Sequence, residues 1–186
     1  MQRQRAQWQV RMAQEPAANL IFLDESGITT EMTRRYGRGL GGQRVPEGTP
    51  GRWRTLTVLG AISLTGWVAT MTIESPTDGD VFRAYVEQVL CPKLSAGQIV
   101  VMDNLSAHKV EGIRERIQAT GARLCYLPPY SPDYNPIERC WAQVKQALRA
   151  TKARTVADLE VALTAALDTV LTSHISAYFR GCGYAA

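Results

Sequence analysis

Three carboxylates stand in local contexts suited to metal-assisted chemistry. Asp24 ends the apolar run Leu20-Ile21-Phe22-Leu23, and Asp103 ends a second, Ile99-Val100-Val101-Met102. Glu138 closes the turn-rich segment Pro128-Pro129-Tyr130-Ser131-Pro132-Asp133-Tyr134-Asn135-Pro136-Ile137, where a loop becomes a helix. Carboxylate oxygens are the hard ligands that Mg²⁺ prefers. A pair of such ions held by a few acids drives in-line displacement at phosphorus. Between Asp103 and Glu138 lie 34 residues.

Each of these acids also has a plainer reading. Asn135 suits a helix N-cap and Pro136 the first helical position, so Glu138 falls where a glutamate often only caps its own helix. Helical geometry weakens that reading. At about 100° per residue, Ala142, Lys145 and Arg149 fall within roughly 40° of Glu138. Ile137, Trp141, Val144 and Leu148 form a separate apolar stripe, centred about 90° away. Such a helix buries one side and shows an acid with two bases on the next. Basic residues late in a helix also complement its dipole, so phosphate contact by Lys145 and Arg149 is one of two readings. Ending a buried strand with Asp103 is costly unless the sheet edge opens onto a site. Ligands gather at the carboxyl ends of parallel strands, and Ser106 is better placed to cap the following helix. Asp24 makes the same case at its own strand end. Glu25 competes with it, since successive strand residues face opposite ways and only one can join Asp103. Asp78, Asp80 and Asp133 lie in turns and are expected to be structural. His108, five residues after Asp103, either orients a ligand, contacts phosphate, or is a surface histidine at a helix start.

Charge points to a polyanionic partner without proving one. The net charge is +4 and the pI about 9.0, and the distribution says more than the total. Within residues 34–54, Arg34, Arg35, Arg38, Arg44, Arg52 and Arg54 face a single acid, Glu47. A solvated loop is the bland reading. Phosphate contact explains better why an Arg- and Gly-rich loop should accompany a carboxylate cluster. The four cysteines (Cys91, Cys125, Cys140 and Cys182) show no C-x-x-C pair or zinc-finger spacing, so reduced, partly buried core thiols are expected. No Gly-rich nucleotide loop and no Ser/His/Asp arrangement is present.

The elements that must position these acids follow from periodicity. With 186 residues the chain is long enough for one well-cored domain. Residues 1–19 read as a polar, helical lead-in, the remnant of a linker, before a catalytic domain at 20–186. Leu20–Asp24 and Ile99–Met102 read as strands buried on both faces. Thr55–Leu64 and Trp67–Ile73 form a hairpin through Thr65-Gly66. Phe82, Tyr85, Val86, Val89 and Leu90 mark a helix stopped by Cys91-Pro92. A helix from about Ala107, carrying Val110, Ile113 and Ile117, ends at Gly121. Ala122–Leu127 is a strand, and Pro136–Ala150 and Val156–Leu171 are helices, the second opened by a Thr155/Asp158 capping pattern. This order predicts an α/β fold, a mixed sheet flanked by helices. No apolar stretch approaches the roughly 20 residues that span a bilayer, and the N-terminus has no signal-peptide core. A cytoplasmic, nucleoid-associated location is expected.

The segments Phe22-Leu23-Asp24-Glu25-Ser26-Gly27, Val101-Met102-Asp103-Asn104-Leu105-Ser106-Ala107-His108-Lys109 and Leu127 to Glu138 together resemble a DDE transposase. They are similar to the bacterial insertion-sequence branch of the mariner superfamily, from about Leu20 to Gly183-Tyr184. The resemblance implies a ribonuclease-H-like fold, a five-stranded mixed sheet with helices on both faces. It favours Asp24 over Glu25 and implies that Asp24, Asp103 and Glu138 hold two Mg²⁺ ions, with Mn²⁺ able to substitute. Asn104 and His108 are expected to support these ligands. Arg34, Arg35, Arg38, Arg52, Arg54, Lys109, Lys145 and Arg149 are expected on the DNA. The implied reaction is hydrolysis at transposon ends followed by strand transfer into target DNA at TA, on a homodimer bound to double-stranded DNA.

One departure stands at the front. Relatives carry helix-turn-helix modules there, and 19 residues before Leu20 are too few for one. Three expectations stand for such a chain: the second reading frame of an element fused by frameshifting, a separately encoded catalytic half, or a degraded remnant. Two other functions compete: a stand-alone nuclease of the same fold, which cleaves without joining, and a non-catalytic DNA-binding or assembly regulator, indifferent to loss of the acids.

Overall fold

The computed structural model describes residues 2–104 and 111–186. Five strands form one sheet: β1 (Leu20–Thr29), β2 (Thr55–Ser63), β3 (Gly66–Ile73), β4 (Ile99–Met102) and β5 (Arg123–Tyr126). Their spatial order is β3-β2-β1-β4-β5. The first three run antiparallel, whereas β1, β4 and β5 are parallel. β1 and β4 are central, which is why both are continuous apolar runs rather than alternating ones.

The two faces of the sheet bury separate cores. On one, Leu20, Phe22, Ile99 and Val101 meet α1 (Gln2–Met12), α4 (Ile137–Thr151), α5 (Val156–Asp168) and α6 (Thr172–Gly181). On the other, Ile21, Leu23, Val100 and Met102 meet α2 (Gly79–Tyr85), the π-helical turn Val86–Leu90 that continues it, and α3 (Ile113–Ala119). The mixed five-stranded sheet with helices on both faces is the architecture the sequence led us to expect.

Several details differ from the sequence expectation. Residues 2–12 form a helix, as expected of the lead-in, but it buries Trp8 and Met12 in the same core as β1. The long helix expected to reach Leu171 ends at Asp168, and a further helix, α6, follows a turn at Thr169-Val170. The described part of α3 begins at Ile113, after Gly112 at φ 87°; the expected start near Ala107 and its Val110 lie outside the described residues. Asp78 caps α2, accepting from the amides of Asp80 and Val81 at 3.0 and 2.9 Å. Thr155 caps α5 through the amide of Asp158.

Candidate active site

The parallel pairing of β1 with β4 sets the site. Leu20 pairs with Ile99, Ile21 with Val100 and Phe22 with Val101, a constant offset of 79. The same offset relates Asp24 to Asp103. Both lie two residues beyond the last pair, so both share the sheet face of Phe22 and Val101, the face covered by α4. Glu25 falls on the opposite side.

Helix α4 supplies the third acid. Its apolar side, Ile137, Cys140, Trp141, Val144 and Leu148, is buried, which leaves Glu138 exposed at its first turn. Close packing of this helix depends on Gly60, the register partner of Asp24 on β2. A Cβ at Gly60 would lie 2.7 Å from the Trp141 ring. The indole rests on bare backbone, and Glu138 is one turn away along the same helix.

Asp24, Asp103 and Glu138 line one cavity of about 370 Å³, together with Asn104, Asn135, Tyr130, Ser131 and the prolines at 128, 129 and 132. Asp24 is only 8% exposed, a depth unusual for a carboxylate. Among the described residues, no three His, Cys, Asp or Glu side chains converge tightly enough to hold a single ion by themselves. Carboxylates gathered without cations repel one another.

Asn135 departs from its expected role. No side-chain hydrogen bond caps α4. Instead, the Asn135 side chain is buried in the cavity wall, and its Oδ1 has no hydrogen-bond partner among the described residues. A buried carbonyl oxygen without a donor is costly, and it adds one more hard oxygen to an all-oxygen set. The donor chemistry therefore fits a divalent cation. Sequence reading took Asn135 for a cap because Asn-Pro before an apolar run is the usual capping signal.

Lys145 and Arg149 follow Glu138 along α4. Half-burial pushes the Lys145 ammonium below its ordinary value; Glu138 and then Asp24 act in the other direction, while Arg149 adds to the lowering. Arg149 is lowered by burial and then by Arg35. Arg34, Arg35, Tyr36 and Arg149 line a second cavity of about 540 Å³ against Ala142, Gln146 and Ala150. No acid lines it.

The remaining loop arginines separate. Arg54 is held by Glu74 at 3.0 Å and its amide donates to Thr30 Oγ1. Arg38 and Arg52 are exposed and line neither cavity. The loop is fixed at its base: Arg154 donates to the carbonyls of Thr30, Met32 and Gly48, and Glu47 pairs with Lys152. That hydrogen bond from Lys152 is the main reason the Glu47 carboxyl sits below its ordinary value. His108 and Lys109 lie outside the described residues.

Helix α1 braces the cavity loop, a role that sequence reading missed. Arg5 donates to Ser131 Oγ and Asp133 Oδ1, both at 2.9 Å, and its guanidinium lies 4.4 Å from the Tyr134 ring centroid. Trp8 Nε1 donates to the Tyr184 hydroxyl, which itself donates to the Tyr134 carbonyl at 2.7 Å. No local signal could have revealed contacts between segments so far apart in the chain.

A family model described as DDE superfamily endonuclease matches residues 19–160. Among solved structures, the pre-cleavage Mos1 transpososome superposes with a TM-score of 0.76 at 14% identity, over 97% of this chain and 56% of that one. The mariner Mos1 paired-end complex with Mg gives 0.76 at 15%, over 97% and 57%. The isolated catalytic domain of Mos1 mariner transposase gives 0.66 at 13%, over 97% and 83%. At these identities the likeness establishes the fold, and the chain spans little more than half the length of the first two relatives. No protein of curated function matches the chain.

Proposed function

The chain belongs to the DDE superfamily of endonucleases, and from that membership we propose that it is the catalytic part of a DNA transposase. The reaction is hydrolysis of phosphodiesters at transposon ends, followed by transfer of the freed 3′-hydroxyl into target DNA at TA. One observation carries the reading: the β1–β4 register sets Asp24 level with Asp103, and the same cavity receives Glu138 from α4.

Asp24, Asp103 and Glu138 would hold two divalent ions, Mg²⁺ or Mn²⁺, with Asn104 and Asn135 at the edge of the set. Bound there, the ions supply activation of the attacking oxygen and stabilisation of the leaving one. The chain's own contribution is placement. The rigid strand ends fix two carboxylates, and the Trp141 contact with Gly60 fixes the helix that brings the third. Lys145 follows Glu138 on α4, within the electrostatic reach of Glu138 and Asp24, and is proposed to hold a phosphate oxygen. Arg34, Arg35 and Arg149 extend this charge along α4, so the DNA backbone runs from the acid cavity towards the arginine cavity. Arg38 and Arg52, both exposed, are proposed as further phosphate contacts, and Lys109 keeps that role on its sequence context alone.

The substrate on this reading is double-stranded DNA, bound by a homodimer, with a helix-turn-helix module supplying end recognition. The compartment is that of the DNA, the cytoplasm and nucleoid; among the described residues no helix is long and apolar enough to cross a membrane.

Nicking of supercoiled plasmid in Mg²⁺ or Mn²⁺ tests the proposal, run beside Asp103→Asn and Glu138→Gln. Wild-type nicking that both substitutions abolish is the expected result. Nicking that survives both would move the chemistry elsewhere. Products that are cut but never joined to a second DNA would reduce the activity to that of a nuclease.

A further inference from the structure

We propose that Tyr130 is a stacking platform for the nucleobase beside the phosphate held in the acid cavity; this rests on the DNA reading above and assigns the site a second kind of contact. Tyr130 lines the same cavity as Asp24, Asp103 and Glu138, yet its side chain is 84% exposed. A large ring held at the lip of a site, left open by the described residues, offers an apolar face to a ligand.

The backbone makes that exposure more telling. Tyr130 adopts φ 53° and is one of two non-glycine residues with positive φ among the described residues. Left-handed backbone suits glycine, and asparagine better than any aromatic. A turn that needed only this conformation would be better served by either. The loop is not loose, because its neighbours are tied on both sides. Ser131 is buried, donates to the Pro129 carbonyl at 3.2 Å, and accepts from Arg5 at 2.9 Å. The amides of Tyr134 and Asn135 close the next turn onto the carbonyls of Ser131 and Pro132. Proline at 128, 129 and 132 removes further freedom. The ring is therefore held outward by a rigid, strained turn, the arrangement expected where strain is retained for a function.

A nucleobase is the occupant this chemistry selects. On the DNA reading the carboxylates, with the cations they would hold, face the phosphate, and a base joined to that phosphate must lie beside it. Every base has a π-face, so one exposed aromatic accepts any base that arrives there. Stacking at this position holds the strand against the acids without reading its sequence.

The test uses the full chain and a pre-cut duplex with a three-nucleotide 3′ tail, 2-aminopurine near its end and a dye at the far terminus, in Mg²⁺. Binding is read from dye anisotropy and stacking from 2-aminopurine quenching. Wild type, Tyr130→Phe and Tyr130→Trp should bind and quench alike. Tyr130→Gly and Tyr130→Asn ease the turn, so their melting temperatures should hold or rise, while quenching disappears. Their binding should weaken about 5- to 140-fold, equivalent to about 1–3 kcal/mol per stacked base. Unchanged quenching in Tyr130→Gly overturns the proposal and leaves the DNA reading intact. So does unchanged DNA binding with an altered oligomeric state, which would assign the ring to a protein contact. Absence of any anisotropy change with the wild type removes the DNA reading, and the stacking proposal with it.

Discussion

Gly60→Ala is a small change with a large expected consequence. The added methyl would lie 2.7 and 2.8 Å from Cη2 and Cζ2 of Trp141 and 3.0 Å from Cζ3 of Trp67. Relaxed carbon contacts begin near 3.5 Å, so the overlap with Trp141 is roughly 0.7–0.8 Å. Little can give way. Trp67 packs on Trp141 with ring centroids 5.0 Å apart, and its Nε1 donates to the Leu167 carbonyl at 3.2 Å. Over-packing of this kind costs about 1–3 kcal/mol, or a melting temperature lower by about 2–12 °C for a domain of this size. Activity should fall further than stability, because relief comes by moving α4, and α4 carries Glu138. A displacement near 1 Å at a reacting group costs about 100-fold in rate. Chemical denaturation and plasmid nicking on the same preparations separate the two effects. The pair Gly60→Ala with Trp141→Phe should recover much of the stability, since the smaller ring vacates the contested space. It also removes an indole Nε1 that is buried without a hydrogen-bond partner among the described residues. Equal denaturation midpoints and nicking rates for Gly60→Ala and wild type would show that this contact does not set the helix.

Three other outcomes follow from the same geometry. The hydrogen bond from Arg5 holds the Asp133 carboxyl below its ordinary 3.8, so this pair's contribution to the docking of α1 is fully present above about pH 4 and is lost as pH falls through the depressed folded value. Hydrogen exchange of residues 2–12 should accelerate there before that of β1, and Asp133→Asn should remove the dependence. Burial pushes the Cys140 thiol up to about 12; with Cys125 and Cys182 also buried and Cys91 partly exposed, alkylation of native protein mapped by mass spectrometry should modify Cys91 first and Cys140 last. Charge removal at Arg35 or Arg149 should lower the salt slope of DNA binding by about 0.9 for each phosphate that is no longer neutralised, measured by anisotropy over a range of KCl.

What could be read in advance depended on the range of the interaction concerned. Leu20–Leu23 and Ile99–Met102 announce central strands by being apolar throughout, and an acid at the end of each then points to the strand-end crevice. The apolar stripe of α4 was equally plain, since periodicity is a local property. Contacts between distant segments left no such trace. Helix α1 carries mostly polar residues and docks through Trp8, Met12 and Arg5, and the partners of Arg5 and Trp8, Ser131 and Tyr184, lie 126 and 176 positions further on. Arg54 looks like its neighbours in the basic loop, yet the β2–β3 pairing brings Glu74 beside it. Asn135 misled for a different reason: its sequence context is that of a cap, and only the three-dimensional arrangement turns its side chain into the cavity wall.

The parallel contact between β1 and β4 also governs when a working centre can exist at all. β2 and β3 are consecutive and joined by a tight turn, and β1 pairs with the next strand in the chain, so the antiparallel half of the sheet assembles through comparatively short-range encounters. Asp24 and Asp103 become neighbours only after β1 has found a strand 79 positions further on. Pairings of such high sequence separation are the slow ones in folding. The antiparallel strands are therefore expected to pair while the two acids are still apart, and pulse-labelled hydrogen exchange that protects β4 as early as β2 would refute that order.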